Sequence, residues 1–131
     1  MKTFTLHTIG GSIALLVLHL SSFSMSVRGS TIRTIAMTSQ AAPGGGASYR
    51  FRGFNLPVIN NRGEVAFRGW LIDLNNVIDK AGIWKDSASG LGKISVTGDG
   101  VPGAAGGTTF QNFGSQINMN DRGITAFLAA Y

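Results

Sequence analysis

The sequence predicts an all-β chain of antiparallel, propeller-blade-like repeats, about 1.7 copies after an N-terminal signal helix. Three observations carry this. First, the chain matches itself. Ile94-Ser95-Val96-Thr97 with Val101-Pro102-Gly103 repeats Ile35-Ala36-Met37-Thr38 with Ala42-Pro43-Gly44, 59 positions on. Phe51 and Phe54 return as Phe110 and Phe113. After one inserted residue, Asn60-Asn61-Arg62-Gly63 returns as Asn120-Asp121-Arg122-Gly123 and Ala66-Phe67 as Ala126-Phe127, now 60 positions on. Such a period marks units that hide an apolar face against the next unit. Second, Leu91 to Thr97 alternates, with Ile94 and Val96 opposite Leu91, Lys93, Ser95 and Thr97, the period-2 pattern of a half-buried strand. Third, 19 glycines with only 13% charged residues imply many tight turns between short strands.

Element by element, Ile32 to Thr38 reads as a strand, the counterpart of Leu91 to Thr97. Gln40 to Ser48 and Asp99 to Gly107 are rich in Gly and Pro without apolar period, and read as loops. A short strand ending at Ile59, a turn through Asn61 to Gly63 and a longer strand from near Val65 form a hairpin, because Asn and Gly tolerate positive φ. Asp121-Arg122-Gly123 marks the same turn again. Leu74 to Lys80 is polar and turn-prone, Ala81 to Lys85 makes a short strand, and Ser87 to Gly90 closes the unit. Each period thus holds about four strands, as a propeller blade does; an open solenoid or a small sandwich is the rival architecture.

The N-terminus has the layout of a secretory signal peptide: Lys2, an apolar block from Ile13 to Leu18, then the small polar run Ser21 to Ser26. Cleavage is expected after Ser26, with Val27-Arg28-Gly29 as second choice. The expected organisation is 1–26 signal peptide, 27–31 linker, 32–90 first β-repeat and 91–131 second, incomplete β-repeat. Localisation is expected to be secreted, extracellular or periplasmic, with membrane contact only through an uncleaved N-terminal segment. His7 and His19 both lie in the leader, so the mature chain would have no histidine for catalysis or ligation. Cysteine is absent, which excludes disulfides and thiolate sites and leaves folding to burial. Without Lys2 the net charge falls from +5 to +4, and the basic residues are scattered along the chain. Nucleic-acid binders concentrate theirs, so no nucleic-acid partner is expected.

Candidate sites resolve mostly into turns and core. Gly98-Asp99-Gly100-Val101-Pro102-Gly103 matches G-x-G-x-x-G after a strand, yet Ala104 to Thr109 is turn-like where a dinucleotide site needs a helix to open. Asn60, Asn61, Asn120 and Asp121 carry oxygens suited to calcium, with Asp121 and Asp99 the first positions to inspect; turn-forming Asx residues are the preferred reading. The carboxylates Glu64, Asp73, Asp79, Asp86, Asp99 and Asp121 form no acid/base pair in sequence, and Glu64 reads as a solvent-facing strand residue. Phe51, Phe54, Phe67, Phe110, Phe113 and Phe127 read as core between repeats because they recur, while Trp70 and Trp84 have no counterpart to compare. No catalytic, cofactor-binding or metal residues are assigned, and no enzymatic activity is expected.

The spaced pattern Phe51-x-x-Phe54-x-x-Pro57-x-Ile59-Asn60-x-x-Gly63-x-Val65-Ala66-Phe67, followed by Gly82-Ile83-Trp84, Val96 and Gly98 to Gly103, resembles the tandem repeats of large secreted bacterial proteins of unknown function. Many of those end in a PEP-CTERM type sorting anchor. The likeness covers about residues 32–131, and the second copy departs from it at Gln116, matched to Pro57, and at Thr125, matched to Val65. It implies a propeller-like fold and a surface or extracellular location, and no activity. The expected role is binding or structural display; the alternative is a fragment of an extracellular, for example carbohydrate-active, enzyme whose active site lies in further repeats. Because the second copy breaks off along its long strand, self-association or pairing with further repeats is the expected partnership, in a truncated or partial product with an open sheet edge.

Overall fold

The structure, a computed structural model, describes residues 32–131, together with the backbone but not the side chains of residues 78 and 79. The expected leader, its histidines and the cleavage point lie outside the described residues. The rest is all-β as expected: seven strands, all paired antiparallel, and no helix among the described residues. They are β1 (Arg50–Phe54), β2 (Val58–Ile59), β3 (Val65–Ile72), β4 (Ile78–Ser87), β5 (Gly90–Val96), β6 (Asn112–Met119) and β7 (Thr125–Ala130). The first sheet has the order β1-β3-β4-β5, with β2 also on β3, which is a blade-like meander; the second is the β6-β7 hairpin.

Side chains of the first sheet alternate between two faces. On one, Phe51, Phe67, Leu71, Trp84 and Val96 form a core with Ala42, and Ile35, Ala36, Tyr49 and Phe54 pack against it. On the other, Ala66, Ala81 and Ile83 pack against Phe113 and Ile117 of β6, with Trp70, Phe110 and Phe127 around them. These will be called the Trp84 face and the Ile83 face. Trp84, Phe51, Phe113, Leu71 and Ile83 are the largest fully buried side chains. Each contributes about 1.5–3 kcal/mol by leaving water, which is how a chain without cysteine holds together.

The Gly82-Ile83-Trp84 motif has a steric cause. Gly69 and Gly82 pair across β3 and β4. Both lie on the Trp84 face, and their missing side chains leave a bare patch for the indole. A Cβ on Gly82 would lie 2.6 Å from the Ser95 carbonyl oxygen and 2.8 Å from the Trp84 ring, and one on Gly69 would lie 3.1 Å from Phe51. The indole N–H donates to the Pro43 carbonyl at 3.0 Å, tying the first loop to this core.

Four readings of the sequence need correction. Residues 32–37 form no ladder, because no strand flanks them among the described residues, although Ile35 and Ala36 still pack on the core. The turn expected over 74–80 is compressed: Asp73 accepts the N–H groups of Asn75 (2.8 Å) and Val77 (2.9 Å), so β4 begins at Ile78. In β5 the alternation fails at Ile94, where a bulge takes the register from Ile83↔Ser95 to Trp84↔Lys93. Val96 therefore joins the core while Ile94 stays 38% exposed. Finally, the inserted residue of the second copy lies between Phe113 and Ile117, where the β6-β7 register shifts. Pro57 thus corresponds to Ile117 rather than Gln116. Pro57 has no N–H for a ladder, so the first copy is split into β1 and β2 while β6 runs on.

Candidate functional site

The feature with the most defined polar geometry is the seam between the two hairpin tips. Asn60 Oδ1 accepts the N–H of Arg62 and of Glu64, both at 3.0 Å, and Asn120 Oδ1 accepts those of Arg122 (3.0 Å) and Ile124 (2.9 Å). Gly63 and Gly123 donate back to Asn60 and Asn120, and adopt φ of 76° and 78°, a region open to glycine. Each tip is an Asx-stabilised turn of one design.

The tips also bond to each other, at like positions. Asn60 Nδ2 donates to the Asn120 carbonyl at 3.1 Å, and Asn61 donates its N–H (3.2 Å) and its Nδ2 (2.9 Å) to the Asp121 carboxylate. A weaker bond joins Asn55 Nδ2 to the Ser115 carbonyl at 3.5 Å. Every bond runs from one residue to the residue 60 positions later, with the donor in the earlier hairpin. The loops before each hairpin match as well. Ser39 and Gly98 donate to the carbonyls of Phe51 and Phe110, Ala42 and Val101 to those of Tyr49 and Thr108, and the isolated bridges Ala41↔Arg50 and Gly100↔Thr109 correspond.

Charge beneath the tips is ordered. Glu64, whose side chain is 12% exposed, accepts from Asn60 at 2.7 Å and pairs with Lys85 at 3.1 Å, and Lys85 also donates to the Gly123 carbonyl at 2.9 Å. Glu64 is therefore a seam residue and not the solvent-facing one expected from Ile124 at its counterpart. The Asn60 amide first, and Lys85 second, hold its carboxyl below the ordinary 4.5. Arg68 stacks on Trp70 at 4.8 Å and donates to Asn112 at 3.1 Å; partial burial holds it below the ordinary arginine value.

The other carboxylates are each engaged apart. Asp86, nearly buried, meets Arg33 at 2.6 Å. Asp99 meets Lys93 at 3.0 Å and accepts the Val96 N–H at 2.9 Å. Asp73 closes its own turn, where the Val77 N–H foremost holds it below its ordinary value. The side chain of Asp79 lies outside the described residues. Among the described residues no three metal-ligating side chains of the His, Cys, Asp or Glu type come together. At Asp121, one of the positions weighed for calcium, the carboxylate accepts the backbone N–H and the Nδ2 of Asn61. The other, Asp99, caps the turn that ends β5. The G-x-G-x-x-G segment is that turn, with Gly98 and Gly103 at φ of 95° and 75°, and no helix follows.

The six Phe residues, all expected between the repeats, divide three and three: Phe110, Phe113 and Phe127 lie between the first sheet and the second hairpin, while Phe51, Phe54 and Phe67 lie on the opposite, Trp84 face of the first sheet. Spacing within each set is similar, with the ring centroids of Phe51 and Phe54 5.1 Å apart and those of Phe110 and Phe113 5.3 Å. Trp84 is fully buried and Trp70 half-buried, so only Trp70 presents an edge to solvent. Sequence reasoning missed that the Asn60-Asn61-Arg62-Gly63 and Asn120-Asp121-Arg122-Gly123 tips touch. Its signal was there: Asn61 can donate and its counterpart Asp121 can only accept, a difference suited to one bonding the other.

Against known proteins, no curated relative and no solved structure matches the chain. A family described as a family of unknown function (DUF7453) matches residues 19–131, which is most of the chain and all of the described part. The chain belongs to this family of unknown function, DUF7453.

Proposed function

We propose that the chain is an exported, non-catalytic protein of tandem β-repeats, propeller-like in design, that acts outside the bacterial cytoplasm by binding or structural display. What supports the repeat reading most is the bonding of like positions: Asn60 to Asn120 and Asn61 to Asp121 are contacts of the kind that stacked, equivalent units make. The matched turn bonds and matched Phe pairs add to it, as does the resemblance to secreted bacterial repeat proteins. Export is supported by the basic, apolar and small-residue order of the first 26 residues. A surface role without chemistry is supported by the described carboxylates, which are engaged one by one with Lys, Arg or Asn partners. The test is expression of the whole chain with a C-terminal tag in a Gram-negative bacterium, followed by fractionation and N-terminal sequencing. The expected result is a periplasmic or secreted product beginning at Val27. A cytoplasmic product that keeps Met1 would overturn export.

A further inference from the structure

The internal seam shows what each side of a hairpin packs against, and part of each mating surface recurs exposed elsewhere in the described fold: a strip at the edge of the Trp84 face, whose centre is covered by Ile35, Ala36, Ala42 and Tyr49, and the outer side of β7. In the second hairpin, Phe113 and Ile117 are only 2% and 6% exposed and Met119 is half-buried, because they sit on the Ile83 face of the first sheet. Their counterparts in the first copy are Phe54, Pro57 and Ile59. Phe54 is only half-buried, Pro57 is exposed and Ile59 is 71% exposed. Phe54 and Pro57, with Ile35, Ala36, Val65 and Phe67, line an open apolar hollow of about 210 Å³, and Ile59 lies exposed on β2. Conversely, Ala66 of the first sheet is fully buried under the second hairpin. Its counterpart Ala126 is exposed on the outer side of β7, beside Ala130 and Leu128, the last 67% exposed.

We propose that these two uncovered faces mate between molecules, so that the outer face of β7 in one chain docks on the Phe54-Ile59 face of a second copy, head to tail. The occupant is a second copy because Phe54, Pro57 and Ile59 match Phe113, Ile117 and Met119, and the outer side of β7 offers the counterpart of Ala66 on β3, without those of Ala81 and Ile83 on β4, so the new contact continues the β3 part of the internal interface by one more step. Polar groups allow the same step. Asn120 Nδ2 takes the place of Asn60 Nδ2 and reaches the Asn60 carbonyl of the next chain, which accepts only from Gly63 among the described backbone groups. The Asp121 N–H takes the place of the Asn61 N–H and reaches the Asn61 side-chain oxygen. The bond from Asn61 Nδ2 has no equivalent, since Asp121 lacks an amide, so this junction is weaker than the internal one and forms reversibly. A head-to-tail contact is heterologous, and it extends or closes a ring rather than stopping at a symmetric pair. The inference rests on the repeat reading above and not on export, so a cytoplasmic product in the fractionation test leaves it standing.

Sedimentation velocity of the purified chain across a wide concentration range tests it. The expected result is a mean mass that climbs past that of two chains. Leu128→Arg and Ile59→Arg each change an exposed side chain, and each alone is expected to abolish the association with unchanged circular dichroism. Mixed together they are expected to form a one-to-one pair, because one retains the first face and the other the second. A monomer at every concentration, a symmetric dimer that both variants disrupt and mixing does not restore, or association indifferent to both substitutions would each overturn the proposal.

Discussion

Replacing Gly82 by alanine probes the packing that the first sheet depends on. The added Cβ would sit 2.6 Å from the Ser95 carbonyl oxygen and 2.8 Å from the Trp84 ring. Ordinary contact begins near 3.4 Å. The first overlap is with backbone of the neighbouring strand β5, which no rotamer change relieves, and the second is with an indole that is fully buried and held by Pro43. The overlap with fixed backbone puts this substitution at the upper end of overpacking costs, about 3 kcal/mol. Glycine removal returns about 0.4–1 kcal/mol through the unfolded chain, so a net loss of about 2 kcal/mol is expected. Gly92 supplies the control: it lies on β5, no atom falls within 4 Å of its Cβ position, and its φ is outside the positive range. Gly92→Ala is expected to be neutral or to stabilise by up to about 1 kcal/mol. Urea unfolding followed by tryptophan fluorescence measures both. For a domain of this size the Gly82 variant should melt about 8–16 °C lower. Equal stability of the two variants would refute the claim that Gly82 exists to seat Trp84.

Two further outcomes follow from the seam. Thr125 Oγ1 is buried without a hydrogen-bond partner among the described residues, where the first copy has Val65; Thr125→Val is expected to raise the urea midpoint, by about 1 kcal/mol of stability. The Glu64 carboxyl is held below 4.5 when folded, so its contribution is present above that value and is lost as pH falls through the lower folded value; urea midpoints from pH 7 downward should drop more steeply in the native chain than in Glu64→Gln.

The sequence alone determined the all-β class, the Asn- and Gly-marked hairpin turns and the correspondence between the two Phe-rich halves. Period-2 alternation and Gly- or Asn-marked turns are local properties, and a residue's neighbours two positions away decide them. Repetition made them legible twice over: Asn60 and Asn120, or Gly63 and Gly123, take the same conformation because they meet the same local demand. Only the tertiary structure decided where alternation breaks and what each face meets. The bulge at Ile94 moves Val96 to the core, and the insertion before Ile117 realigns Pro57; both depend on how a strand registers with a partner distant in sequence. Glu64 reads as an exposed residue until Lys85 and Asn60 are brought beside it. Likewise, nothing local in Asn60 or Asn61 says that its bonding partner lies 60 positions on, because that partner comes within reach only when the two hairpins pack together.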